Sequence, residues 1–157
     1  MDLNPDDSHL STEDLESVRA ASAALHQQGW RKEFTIEEMI GKWAWLVAQV
    51  ERGYSDLVDE YTNDLYCRDW LAKAWPQVTH PVRSCWHEML QPLDERFRAA
   101  TIEDGGQAVG RYHQITPAMG WWWHRRPKKL VGDLAEALRT AEETPWPPGN
   151  KPTTVTC

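Results

Sequence analysis

An all-α fold is what this chain of 157 residues predicts. Apolar residues recur at spacings of three and four along most of its length, a capping residue opens most stripes and a glycine or proline closes them, and no segment sustains the alternation of a half-buried strand. The expected architecture is a single-domain bundle of five or six helices with one long Gly/Pro-containing loop and an extended Pro-rich tail. Its divisions are a flexible lead-in over 1–10, a helical domain over 11–143 and the tail over 144–157. A domain of this size hides roughly 68–70% of the surface its unfolded chain exposes, so it can hold a core without covalent staples.

Ser11 is placed to cap the first helix, with Glu13 and Asp14 in the first turn against the positive end of the helix dipole. Leu15, Val18, Ala21, Ser22 and Leu25 follow at helical spacing, and Gly29 ends the helix after about Gln28. Thr35-Ile36-Glu37-Glu38 reads as a capping box. The stripe behind it, Ile36, Met39, Ile40, Trp43, Leu46, Val47 and Val50, is the strongest amphipathic pattern in the chain, and it stops at Gly53. Ser55 then caps a third helix with Leu57, Val58, Tyr61 and Leu65 inside. The apolar period slips between Leu65 and Leu71, which predicts a break near 63–68 and a short helix ending at Trp75-Pro76.

His80-Pro81 opens the next helix, whose stripe Val82, Cys85, Trp86, Met89, Leu90, Leu93 and Phe97 is bent at Pro92, where an N–H is missing and the ring clashes with the preceding turn. Gly105, Gly106, Gly110, Pro117 and Gly120 mark 101–120 as the long loop, with a small hairpin in 107–116 as its one strand candidate. The last helix begins near Pro127 and carries Leu130, Leu134, Ala137, Leu138 and Ala141. From Thr144 onward Pro145, Pro147, Pro148 and Pro152 impose extended chain.

Ten tryptophans are present, three of them consecutive at Trp121-Trp122-Trp123 and followed by His124-Arg125-Arg126-Pro127-Lys128-Lys129. Consecutive side chains point about 100° apart in a helix and to opposite sides in a strand, so one stripe cannot bury all three indoles. Interleaved aromatics and cations can read single-stranded nucleic acid by stacking and phosphate contact. They can equally lock a loop, with Arg125 and Arg126 paired to surplus acids, and a net charge of −7 favours the second account.

That charge also excludes long-range attraction to nucleic acid or anionic membranes and points to a basic partner. Residues 1–16 hold six acids and no Lys or Arg, while 121–132 hold four basic residues and no acid. Cys67, Cys85 and Cys157 are odd in number and widely spaced, which suits free thiols in a reducing compartment. The acidic start lacks a signal peptide's basic and apolar regions, and the longest apolar run, Trp43 to Ala48, is too short to span a bilayer; the expected location is cytoplasmic.

The candidate partner face lies on the third helix. Asp56, Asp59, Glu60 and Asp64 fall at spacings of three and four with no Lys or Arg between Tyr54 and Tyr66, and such like-charge pairs cost a few tenths of a kcal/mol each. A helix that keeps this repulsion has a use for the charge, and Tyr54, Tyr61 and Tyr66 beside it are the aromatic type favoured at interfaces. An ordinary solvated face is the competing account of such a run.

Catalytic sets are not supplied. His87 and Glu88 are adjacent and diverge by about 100°; Asp94 and Glu95 follow on the same helix; Cys85-Trp86-His87 is not a zinc spacing, and no phosphate-cradling glycine motif is present. No catalytic residue, metal or cofactor is therefore assigned. The chain resembles, in general properties only, the small acidic immunity proteins that neutralise basic toxin domains in bacteria. That resemblance implies a non-catalytic inhibitor of a basic toxin or nucleic-acid-acting protein. The alternative is a small helical ligand-binding domain or enzyme whose pocket lies near Trp86, His87 and Trp121-Trp123, with Arg125 and Arg126 as loop anchors.

Overall fold

The computed structural model describes residues 10–143; the flexible lead-in expected over 1–10 falls almost wholly, and the Pro-rich tail wholly, outside them. Five α-helices run in the order α1 (Thr12–Gln27), α2 (Ile36–Arg52), α3 (Val58–Ala74), α4 (His80–Ala99) and α5 (Gly132–Glu143). Two three-residue strands, β1 (Thr101–Glu103) and β2 (Arg125–Pro127), pair antiparallel with Ile102 opposite Arg126. Among the described residues no helix is long and apolar enough to cross a membrane.

The caps form where side-chain chemistry requires them. Ser11 accepts from the Asp14 N–H and the Asp14 carboxylate accepts from the Ser11 N–H, a reciprocal box that opens α1. Asp14 also accepts from the Thr79 hydroxyl at 2.7 Å, tying the start of α1 to the start of α4. Thr35 caps α2 through the Glu38 N–H, while the Glu38 carboxylate pairs with Lys32 at 2.7 Å.

At α3 the structure departs from the sequence pattern. Leu57 stands at the cap position without a side-chain hydrogen bond, and Ser55 is used otherwise: its carbonyl accepts the Asp133 N–H that opens α5. Gly53 and Gly132, with φ of +115° and +59°, make that approach feasible, since a Cβ on Gly132 would stand 2.6 Å from the Ser55 oxygen. Nor is α3 broken near 63–68. It runs unbroken because it is central, packed against α1, α2, α5 and the tryptophan turn, so its buried residues encircle it instead of following one stripe. The slipped period reflects burial on several faces.

The helix α4 likewise continues across Pro92, with Val82, Trp86, Leu90, Leu93 and Phe97 buried on one side. The strand candidate in 107–116 is replaced by a 3-10 turn at Val109–Arg111. Pairing instead joins the two ends of the long loop, so the last helix starts at Gly132 and not near Pro127.

The core is crossed by one polar network. Asp94 on α4 receives Arg68 Nε and Nη2 from α3 at 3.0 and 2.9 Å, and its Oδ1 also accepts Trp43 Nε1 from α2 at 3.0 Å. Trp43 is fully buried and Arg68 nearly so. Removing one member of a buried, hydrogen-bonded ion pair leaves an uncompensated charge and costs about 3–5 kcal/mol. Asp94→Ala should therefore destabilise by about that amount in urea denaturation, whereas Arg68→Met with Asp94→Leu should lose clearly less than the two single changes summed. Additive losses would show that the pair is not coupled.

Candidate functional site

Two concavities flank α3. The larger, about 790 Å³, opens between α2 and α3 beneath the α1–α2 connection, and its walls include Trp30, Phe34, Trp45, Asn63, Asp64 and Tyr66. Trp45 is 53% exposed and Tyr66 40% exposed, whereas Trp30 is half-buried and Phe34 buried. On α2 the buried side is filled by Trp43, Leu46 and Val47, so Trp45, two residues and about 200° beyond Trp43, emerges on the far side. That offset is legible in the sequence, and Trp45 is the site residue the helical pattern could have revealed. Arg31, Lys32 and Lys42 stand 5.2, 5.2 and 6.0 Å from the Phe34 ring centre, and Glu38, which pairs with Lys32, shares the groove wall with Arg31 and Lys42.

Of the four acids expected on α3, Asp64 alone is in the groove wall. Asp56, Asp59 and Glu60 are exposed and form no ion pair among the described residues. Asp64 is half-buried and lines the groove, where burial and the charge of Asp56 raise its carboxyl above the ordinary value. The tyrosines divide. Tyr66 stays at the surface, but Tyr54 and Tyr61 are core residues and cannot be contact side chains for a partner. Proximity in sequence puts them beside the acids, but in space Tyr54 is turned inward, donating to Asp64 Oδ2 at 2.6 Å and packing edge-on against Tyr61 at 5.3 Å. Burial and the neighbouring carboxylates push the Tyr54 hydroxyl far above its usual range. Burial raises the Cys67 thiol to about 12, which keeps it protonated and inert.

The tryptophan block forms a 3-10 turn, Trp121–His124. Trp122 and Trp123 are buried and Trp121 half-buried, so Trp121 is the indole that the core does not take. Both buried indole N–H groups donate to Asp69 Oδ1 on α3 at 2.8 Å. Trp123 stacks on His113 at 4.9 Å and meets Tyr66 edge-on at 5.4 Å, while Trp121 packs against Phe97 at 5.9 Å. Arg125 does not pair with surplus acids: it donates to Thr101 Oγ1 at 2.7 Å and to the carbonyls of Arg98 and Thr101, bracing the two-stranded ladder. Arg126 reaches the Pro127 carbonyl at 3.0 Å.

The smaller concavity, about 540 Å³, lies between α3 and α4 and has His87, Trp121 and Trp122 in its walls. Trp86 is buried in the core; neither it nor Trp123, Arg125 or Arg126 contributes to that lining. Asp94 is at its edge but fully engaged by Arg68 and Trp43, so it is no free base, and His87 and Glu88 are both exposed. Among the described residues no group of three or more His, Cys, Asp or Glu side chains comes together as a metal site.

Truncating Trp122 or Trp123 to Ala should cost about 3–5 kcal/mol, from lost transfer energy plus the cavity left behind, and Trp121→Ala distinctly less. Thermal melts of the three variants give the order. Asp69 supplies a pH signature. Burial raises its carboxyl above the ordinary range despite the two indole donors. Between the unfolded value near 4 and that raised value the folded state binds the more protons, so this residue's contribution to stability falls as pH rises. Asp69→Asn keeps an oxygen acceptor and removes the charge; its stability relative to wild type should therefore improve as pH rises from about 4 in urea titrations. Asp69→Ala, which leaves two indole N–H groups unpaired, should cost about 1–3 kcal/mol for each.

No known protein family matches this chain, and neither a curated protein nor a solved structure is significantly similar to it.

Proposed function

We propose that this protein is a non-catalytic binding module that engages a basic protein partner, in its most concrete form an inhibitor of the immunity type. The carrying observation is the contiguity of exposed aromatics and uncompensated acids. Trp45 and Tyr66 flank the α2–α3 groove, and Asp59 and Glu60 lie one turn before Asn63 and Asp64 on α3. Trp and Tyr are the side chains that dominate binding energy when a partner desolvates them. Unpaired exposed acids add orientation and encounter rate more than affinity. The two features together describe an interface with an anchor and a steering field, at a groove whose polar groups are not arranged for bond-making chemistry.

Compared with the face expected from sequence, the surface is shifted. Tyr54 and Tyr61 support it from within by holding the start of α3 and Asp64, and Trp45 takes the anchoring place. A partner would supply cations opposite Asp56, Asp59 and Glu60, and an apolar or aromatic side chain for the groove between Trp45 and Tyr66.

The protein encoded beside this one is the first partner to assay, by isothermal titration and stopped-flow mixing at two ionic strengths. Trp45→Ala should leave the melting curve nearly unchanged and weaken binding by roughly thirtyfold, the size of a hot-spot loss. Asp56→Asn with Glu60→Gln should leave the fold unchanged or slightly firmer, slow association and flatten its salt dependence. Wild-type affinity in Trp45→Ala would remove the groove from the interface, and a wild-type association rate at low salt in the double variant would return the acids to an ordinary solvated face.

A further inference from the structure

We propose that the cleft between α3 and α4 is a binding site for a small planar aromatic carboxylate. It is separate from the α2–α3 groove and does not depend on a protein partner. Its volume of about 540 Å³ lies within the range of small-molecule sites. Trp75 and Trp121, both half-buried, stand in its walls, with the buried Leu90 and Trp122 deeper in. Arg68 reaches it from α3, and the other polar groups lie along α4, from His87 through Gln91, Asp94 and Glu95 to Arg98, a span of about 16 Å at the helical rise.

The choice of an anion follows from which cation of the cleft is left without a carboxylate partner, since its two arginines and two acids balance. Arg68 and Asp94 neutralise each other through two hydrogen bonds, and the third acceptor contact of Asp94 goes to Trp43. Neither is left to recognise a ligand by charge. Arg98 is different: it is exposed, has no carboxylate partner among the described residues, and its guanidinium lies 3.9 Å above the Trp121 ring centre. Stacking occupies the face of a guanidinium and leaves its edge donors in plane, the arrangement that receives a carboxylate in bidentate fashion. The ring of Trp121 is in turn held by Phe97 and Trp122, at 5.9 and 5.6 Å, so the cation is presented from a braced platform. Arg68, 4.5 Å over Trp122, repeats the motif one layer deeper.

The choice of a flat aromatic body follows from the walls. Indole faces and edges beside a planar cation favour a ligand that can stack, and the hydrocarbon of Leu90 and Ala72 completes the apolar surface. One group opposes an anion: Glu95, exposed, contacts Gln91 at 3.4 Å and forms no ion pair with Arg98. A monocarboxylate seated on Arg98 with its ring directed toward Trp75 keeps its charge at one end only, which limits that repulsion.

The test is isothermal titration of the full chain with 2-naphthoate and with its uncharged counterpart 2-naphthamide. Saturable binding of one naphthoate per chain is expected, with the amide at least roughly tenfold weaker. Arg98→Gln should weaken naphthoate by roughly tenfold or more, and Ala72→Phe, which fills the cleft from an exposed helical position, should abolish binding. Glu95→Gln should tighten it. Absence of saturable binding at millimolar naphthoate, equal affinity for the amide, or wild-type affinity in Arg98→Gln or Ala72→Phe would each overturn the proposal; the amide comparison uses the unaltered protein and so stands even where a variant fails to fold.

Discussion

Two adjacent residues of α3 join α2, α4 and the tryptophan turn to that helix. Arg68 reaches Asp94 on α4, and through that carboxylate Trp43 on α2, while Asp69 receives both buried indoles of the tryptophan turn. Successive residues on a helix diverge by about 100°, so a central helix can serve two partners with neighbouring side chains. The buried pair is weak evidence of net stabilisation, because taking two charges out of water offsets their attraction. What such a pair supplies with more certainty is geometry: its bidentate fork admits one relative placement of α3 and α4.

The tryptophans make sense around this hub. An indole brings a large apolar area and one N–H that needs an acceptor when buried. Trp43, Trp122 and Trp123 find carboxylates for theirs, and Trp70 Nε1 and Tyr61 Oη are buried without a hydrogen-bond partner. The ring contacts also run in series, from Trp43 to Phe97, Trp121 and Trp122 on one side, and from Trp123 through Tyr66 to Trp30 on the other. The long loop between β1 and β2 thus has few hydrogen bonds of its own ladder but is fixed by aromatic packing at its far end. Asp104 holds its near end by accepting from the Gly106 and Ala108 N–H groups.

The packing around α3 leaves two concavities on its flanks. α3 presents Asn63, Asp64 and Tyr66 to one concavity, and Arg68, Ala72 and the following Trp75 to the other. The first concavity has exposed Trp45 in its wall, with exposed Asp59 and Glu60 one turn before Asn63 and Asp64 on α3; the second has Arg98, a cation stacked on the half-buried indole of the triplet. These are the two surfaces on which the proposed binding roles rest. In the second, Asp94 is hydrogen-bonded to Arg68 and Trp43, and His87 stands exposed beside an equally exposed Glu88.

The sequence by itself determined the helical class, the bounds of α1 and α2, and that the three consecutive indoles could not share one buried face, but not which of them stands outside the core. Each of these depends on interactions within a few residues: caps, glycine stops, helical periodicity and the angle between neighbouring side chains. Exposed Trp45 was legible on the same terms, from its position opposite the α2 stripe. Tertiary structure decided the rest. The continuity of α3 through its period slip, the use of Ser55 to receive α5 and the strand pairing across the long loop all depend on partners distant in sequence. So do the roles of Arg68, Asp69 and Arg98, and the inward turn of Tyr54 and Tyr61: whether a charge or an aromatic is core or surface depends on which helices close over it, and no local spacing encodes that.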